Sequence, residues 1–417
     1  MSNILKNKNG ITLIALVVTI VVLLILAGVS ISLILDNNGI IQKSKDAKKQ
    51  YEQARTKEGQ ELDKISGWID QQVEDNAIRL PDSTEETKPY LPSEDFSKDD
   101  DTSLDNGLVI KDSKGNEFVW IEVPRKKEIY QTAGLNIKEF LEEEIDKIKT
   151  DLIDYVVDYK TSYSDEWYSG CGITDQKKYT TMYNKMLKSI YTNGGFWLGR
   201  YEIGIDENTT RNYGGEYTIE HSISGQTPVI KANKIPYNWI RCYQAEEMAE
   251  SFAPSEYTSS LLFGIQWNLV CKHLETKGKN PGTTANSLQA AIKSNSTDWG
   301  NYSNASFIVT NTKAMYSEDK GATWKKITET SEYPKKENER ILLTTGADAR
   351  NSMMNIYDFA GNVWEWNLEK TTNDSTPGVG GGGDYCDLVG YSYPASKRGG
   401  MSKNFNGSGS GARVTLY

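Results

Sequence analysis

The chain has 417 residues, 37% of them hydrophobic and 25% charged, with 35 glycines and a formal net charge of -10. That length allows one large core or two ordinary ones, and the acidic balance argues against a nucleic-acid partner, whose affinity is built on Lys and Arg displacing counterions. With only two histidines, His221 and His273, His-rich metal clusters and most Ser-His or Cys-His mechanisms are excluded.

Residues 11–35 carry no charge, and at about 1.5 Å rise per residue a helix of that length covers a bilayer core of about 30 Å. The run is too long for the apolar core of an ordinary secretory signal, and Lys6 and Lys8 before it favour a cytoplasmic N-terminus. Composition alone gives a signal anchor. The stretch "KNKNGITLIALVVTIVVLLILAGVS" joins a short basic segment, a glycine and a Thr-Leu-Ile run opening a long apolar helix, and in this it resembles the leader of type IV prepilins. The resemblance implies cleavage after Gly10 by a prepilin peptidase, methylation of the new N-terminal Ile11, and passage to pilus-assembly machinery. Ala15 stands where that family usually carries Glu. Its absence removes a carboxylate that registers neighbouring subunits in a filament and eases residence in lipid.

Residues 39–75 keep Ile41, Ala47, Tyr51, Ala54, Leu62, Ile65 and Ile69 at loosely helical spacing among many charges, which predicts a solvated stalk, the whole of 11–75 forming a transmembrane and stalk helix. From 76 to 106 prolines and an acidic run replace large apolar residues, so a flexible linker is expected there. At Gly107 the pattern turns over. "GLVIKDSKGNEFVWIEVP" alternates on both sides of a turn and predicts a β-hairpin. A charged amphipathic stretch at 136–158 predicts a helix, "GGFWLGRYEIG" (194–204) a strand, and 258–275 a helix after a Ser/Thr cap. No internal repeat is visible. The expected class is α+β: a long pilin-like N-terminal helix, then a loop-rich domain over 107–417.

"NIYDFAGNVWEW" (355–366) is the most specific stretch. In a strand, Trp364 and Trp366 share one face and Val363 and Glu365 the other. Asp358 and Glu365, with the carbonyls of Gly361 and Val363, are oxygen donors suited to a hard cation, although spacing alone favours core tryptophans, solvated carboxylates and no bound ion. The Asp-x-x-Gly-Asn-Val-Trp-Glu-Trp run resembles the hallmark of the formylglycine-generating-enzyme-like (sulfatase-modifying factor) domain, a loop-rich relative of the C-type lectin fold. "GNEFVWIEVP", "GGFWLGRYEIG", "STDWGNYSNASF" (296–307) and the closing "GARVTLY" are similar to that family in the same order. The resemblance implies a structural calcium held by the Asp358 and Glu365 positions. Catalytic members use a cysteine pair near the C-terminus with copper. Here Cys386 has no partner in that segment, since Cys171, Cys242 and Cys271 lie far upstream, so neither copper nor oxidase chemistry is expected. Disulfide pairing among the four cysteines stays open.

About half of residues 383–417 are Gly, Ser, Tyr or Asn, the mixture of rigid amphipathic rings and adaptable small polar groups found in paratopes. The closing "ARVTLY" is strand-like, which ties down the loop before it. This segment is similar to the variable proteins of diversity-generating retroelements, in which asparagine codons are rewritten at adenines. The resemblance makes Tyr385, Asp387, Tyr391, Ser392, Tyr393, Ser396, Ser402, Asn404, Asn406 and Ser408 the ligand-binding positions within about 383–410. No arginine precedes Gly382-Gly383, and Ala412 stands where the family's closing Gly-Phe-Arg has Phe. The sequence therefore points to a membrane-anchored protein, exported to the cell surface or a pilus. Its extracellular domain binds a protein or cell-surface ligand without catalysis. The alternatives are a formylglycine-generating-type oxidase and a purely structural pilin or pseudopilin.

Overall fold

The computed structural model describes residues 17–26, 45–51, 77–254, 256–279, 281–282, 286–327, 332–387 and 392–417. The chain divides into two units, Met1–Asp75 and Asn76–Tyr417. In the first, residues 17–26 and 45–51 are helical. Among the described residues no helix is long and apolar enough to cross a membrane. The cleavage point Gly10–Ile11, Ala15 and most of the expected stalk lie outside the described residues.

The second unit is organised by an antiparallel six-stranded sheet with the order Ser259–Leu261, Val414–Leu416, Gly195–Gly199, Glu117–Glu122, Val109–Asp112, Phe96–Lys98. The chain's last strand lies inside this sheet, not at its edge. Its β-branched Val414 and Thr415 are fully buried, and Thr415 pairs with Ser260 on one side and Leu198 on the other. The 107–124 hairpin sets Val109 against Val119 and Ile110 against Phe118. Asp112 Oδ1 closes its turn by accepting from the Lys114 and Asn116 amides.

Two expectations need correction. Residues 77–106 are built into the domain and are not a flexible linker. Ile78–Arg79 pairs with Tyr90–Leu91, Phe96–Lys98 is a strand of the main sheet, and Leu80, Tyr90 and Phe96 are buried. The Tyr90 ring stacks on Tyr257 at 5.2 Å and meets Trp120 edge-on at 5.8 Å, while its carbonyl accepts from Trp197 Nε1. A few well-spaced anchors outweigh the polar average, because buried aromatic area stabilises far more than neighbouring exposed charges cost. The 258–275 stretch also divides. Ser259–Leu261 is a strand, and the helix runs Gly264–Lys277. The residue accepting from its first amides is remote Asp165, at 2.6 Å from Gly264 N and 3.1 Å from Ile265 N, rather than a local Ser or Thr.

Helix Glu142–Tyr155 buries one face through Ile145, Ile148 and Leu152, while Gln176–Asn193 is buried on all sides over 186–191. Asp175 caps the second by accepting from Lys178 N, and Gly194 ends it at φ 67°. A smaller sheet, ordered Arg398–Met401, Gly378–Gly381, Trp364–Asn367, Ser410–Ala412, carries the site. Its first three strands are antiparallel, and Trp364–Asn367 runs parallel to Ser410–Ala412.

Candidate functional site

The strand Trp364–Asn367 leaves a run of left-handed backbone: Asn355, Asp358 and Asn362 have φ of 63°, 58° and 61°. Asn and Asp tolerate that region best after glycine, and here each is held by a hydrogen bond. Asn355 Nδ2 donates to the Gly107 carbonyl at 2.8 Å, Asp358 Oδ2 accepts from Gly346 N at 2.6 Å, and Asn362 Nδ2 donates to Glu202 Oε2 at 2.7 Å. At Gly361 a Cβ would stand 2.4 Å from the Asn301 carbonyl oxygen, so the close approach excludes any side chain.

Strand alternation turns Glu365 inward onto Arg413, and both are almost wholly buried. Arg413 Nε donates to both Glu365 oxygens, at 2.9 and 3.0 Å, while its other nitrogens donate to the Gly199 and Tyr357 carbonyls at 3.0 and 2.7 Å. One guanidinium thus ties the small sheet to the main one. Burial raises Glu202 well above the usual carboxylate range, with Asp358 adding to it, and pushes Asp358 up to about 7. Of the expected calcium set Asp358, Gly361, Val363 and Glu365, the Glu365 position does not fit, because both of its oxygens are engaged by Arg413. The cation at Glu365 is a side chain of the protein itself.

Opposite Glu365, the outer face of the small sheet carries Trp364 and Met401, both half-buried. Gly380 and Gly399 give them a flat bed. A Cβ on Gly380 would come 2.5 Å from Met401 Cε, and one on Gly399 would touch the Trp364 ring at 3.4 Å. Tyr393 meets Trp364 edge-on at 5.2 Å. Further along, buried Trp366 donates to the Ile240 carbonyl and meets half-buried Phe405 at 6.4 Å. Phe405 in turn lies parallel to Tyr217 at 6.3 Å, from the loop 206–227, and Tyr217 stacks on Trp239 at 5.6 Å. The result is a strip of rings with Tyr217 40% and Ile219 52% exposed at one end.

The sequence-predicted binding residues divide into two sets. Tyr385, Ser396, Asn406 and Ser408 are buried. The Tyr385 hydroxyl and Ser408 Oγ share a hydrogen bond at 2.9 Å, Ser396 N donates to the Ile292 carbonyl, and Asn406 donates from Nδ2 to the Ile219 carbonyl. Those four support the surface from beneath, since a side chain without exposure presents nothing to a ligand. Ser392 and Asn404 are exposed, while Asp387, Tyr393 and Ser402 are half-buried. Tyr391 lies outside the described residues. Reading by composition missed Trp364, Met401, Phe405, Tyr217 and Ile219. Three of these carried a signal, since alternation pairs Trp364 with Trp366 and sets Tyr217 and Ile219 on one side of "EYTIE" (216–220), but neither pattern says which side chains reach water.

All four cysteines are free thiols, and only Cys386 is less than fully buried. Burial, followed by the adjacent Asp384 carboxylate, pushes its thiol up to about 11, the opposite of what a nucleophile or copper ligand requires. Asp384 and Asp387 frame it. Asp384 Oδ1 accepts from the Cys386 and Asp387 amides, Asp387 Oδ2 accepts from Asp384 N, and burial raises both carboxyls, Asp387 to about 6. The His273 imidazole is lowered to about 3 by burial and serves as an acceptor for the Glu122 amide. The Asp384 and Asp387 hydrogen bonds fix the loop around Cys386.

No protein-family model matches the chain, and no curated protein does. The chain is similar to Treponema denticola variable protein 1. That solved structure covers 53% of this chain and 84% of its own, at 16% identity and a TM-score of 0.25. A likeness at that score decides neither fold nor function, so the functional reading rests on the geometry of the strip.

Proposed function

We propose that the protein is a non-catalytic ligand-binding protein whose contact surface is the outer face of the small sheet with the C-terminal loops over 383–410. In this reading its N-terminal segment, cleaved after Gly10 by a prepilin peptidase and held in the membrane by residues 11–35, displays the domain at the cell surface or on a pilus. The single observation that carries the binding assignment is the strip of half-exposed Trp364, Tyr393, Met401 and Phe405 on a backbone held from below by buried polar groups. Rigid aromatic rings on a fixed frame bind without a large ordering cost, which is how hot-spot surfaces achieve affinity. Diversification of Tyr393, Ser392, Asn404 and their neighbours by a retroelement is part of the same proposal, and exposed Ser392 and Asn404 tolerate it best because they are not buried in the domain.

An oxidase reading has less support, because Cys386 is a single thiol held protonated. The test uses the full chain and a phage-displayed library of random peptides. Peptides selected on the protein should lose about tenfold or more in affinity when Tyr393 is changed to Ser. Unchanged binding there, or aldehyde formed from a cysteine peptide with copper and oxygen, would remove the assignment. A template repeat beside the gene, differing from the coding segment only at adenines, tests the diversification.

A further inference from the structure

We infer that Cys171 and Cys242 join in a disulfide when the chain folds in the presence of an oxidant, stapling the underside of the small sheet, while Cys271 and Cys386 stay as thiols. In the structure Cys171 and Cys242 are thiols without exposed surface. Contacts on both sides of Cys171 bring their backbones together. On one side the Tyr168 ring folds back over its own turn: Cys171 N donates to the Tyr168 carbonyl at 3.2 Å, and a Cβ on Gly170 would stand 3.2 Å from Tyr168 Cε2. The hydroxyl at the end of that ring donates to Cys242 Sγ at 3.2 Å. On the other side a Cβ on Gly172 would stand 3.0 Å from Tyr243 Cα and 2.7 Å from Glu246 Cβ. Cys171 is thus held against the first turn of the helix Cys242–Ala249. Burial raises the Cys242 thiol well above its usual range and neighbouring Cys171 adds to it, so the two sulfurs lie close enough to interact.

The other two thiols sit elsewhere. Cys271 lies on the helix Gly264–Lys277 near Arg398 and Glu275, and Cys386 lies among Asp384, Tyr385 and Arg340. These surroundings share no residue with those of Cys171 and Cys242. The pair lies under the small sheet: Cys242 Sγ is 3.9 Å from the Asn367 carbonyl, and a Cβ on Gly378 would be 2.9 Å from the Tyr168 hydroxyl. One on Gly170 would be 2.8 Å from Lys403 Cβ, so the same turn also packs on the C-terminal loops. Joining 171 to 242 closes a loop of about 70 residues, and the gain from restricting the unfolded chain grows with loop length. In the step each Sγ–H gives up its proton and the two sulfurs bond. The two electrons released pass to the disulfide of a thiol–disulfide oxidant, which takes up two protons and leaves as two thiols. Exported chains meet such an oxidant, and the inference rests on the proposed export for nothing else.

The test refolds the full chain from denaturant in a buffer of reduced and oxidised glutathione, then unfolds it in iodoacetamide, digests it without reduction and reads the peptides by mass spectrometry. The expected product links the Cys171 and Cys242 peptides and carries alkylated Cys271 and Cys386. Its melting temperature should fall by about 5–10 °C on adding dithiothreitol, whereas Cys171→Ser/Cys242→Ser should melt at one temperature with or without the reductant. A link through Cys271 or Cys386, a glutathione adduct at Cys171 or Cys242, or both of these thiols recovered alkylated overturns the pairing. A linked product whose melting ignores dithiothreitol overturns the staple. Because glutathione supplies the oxidant in vitro, failure here is distinct from failure of the export reading.

Discussion

Removing the Arg413 guanidinium would leave Glu365 in a dry interior facing two further buried carboxyls, Glu202 and Asp358. Breaking one side of such a pair costs about 3–5 kcal/mol, whereas replacing both partners by packed apolar residues is often near neutral. Arg413→Met should therefore lower unfolding free energy by about that amount in urea titration, and Arg413→Met/Glu365→Met should recover most of it. A single variant as stable as the parent would show that the pair is not what joins the two sheets. At Cys386 the shift of the thiol from 9.0 to about 11 leaves roughly a hundredfold less thiolate at neutral pH. Alkylation by iodoacetamide should be correspondingly slow at pH 7 and should accelerate as pH approaches 11. Fast labelling at pH 7 would restore a reactive role.

The segment 77–106 is the element whose prediction from sequence failed, and it supplies a sharp test. Phe96 belongs to the main sheet and touches Phe118 at 6.1 Å between ring centres, so Phe96→Ala should cost about 3–5 kcal/mol, against nothing for a residue in a flexible linker. Local pattern could not reveal this. The acidic run at 99–101 sits on an exposed turn, and what anchors the segment is contact with Trp120, Trp197 and Tyr257 far along the chain. The same holds for the helix Gly264–Lys277, whose capping carboxylate arrives from Asp165. By contrast the 107–124 hairpin and the closing strand were legible, since period-two alternation and a tight turn are short-range facts. The binding segment was legible as a place but not residue by residue. Composition marks Tyr385, Asn406 and Ser408 as paratope-like, yet burial is decided by the fold beneath them, and they face inward.

For the whole molecule, burial raises two carboxyls toward neutrality: Glu246 to about 8 and Asp358 to about 7, from 4.5 and 3.8. In the unfolded chain these groups release their protons at about pH 4. The folded state therefore binds more protons between pH 4 and 8. The stability they contribute is full below the unfolded values and is lost as pH rises through 7 to 8. The melting temperature of the domain should fall between pH 5.5 and 8.5. A rise over that range would mean these carboxyls are ionised and paired in the folded protein.

The central claim is that the C-terminal loops form a fixed face rather than a loose tail, and hydrogen exchange of the full chain read by mass spectrometry tests it most directly. The amides of Trp364, Gly382, Tyr385 and Asn406 donate to the carbonyls of Gly409, Lys397, Asn362 and Tyr217. These amides should exchange as slowly as those of the central strand Gly195–Gly199. Exchange of 378–387 and 398–410 at the rate of an unstructured peptide, while the central strand stays protected, would contradict the account.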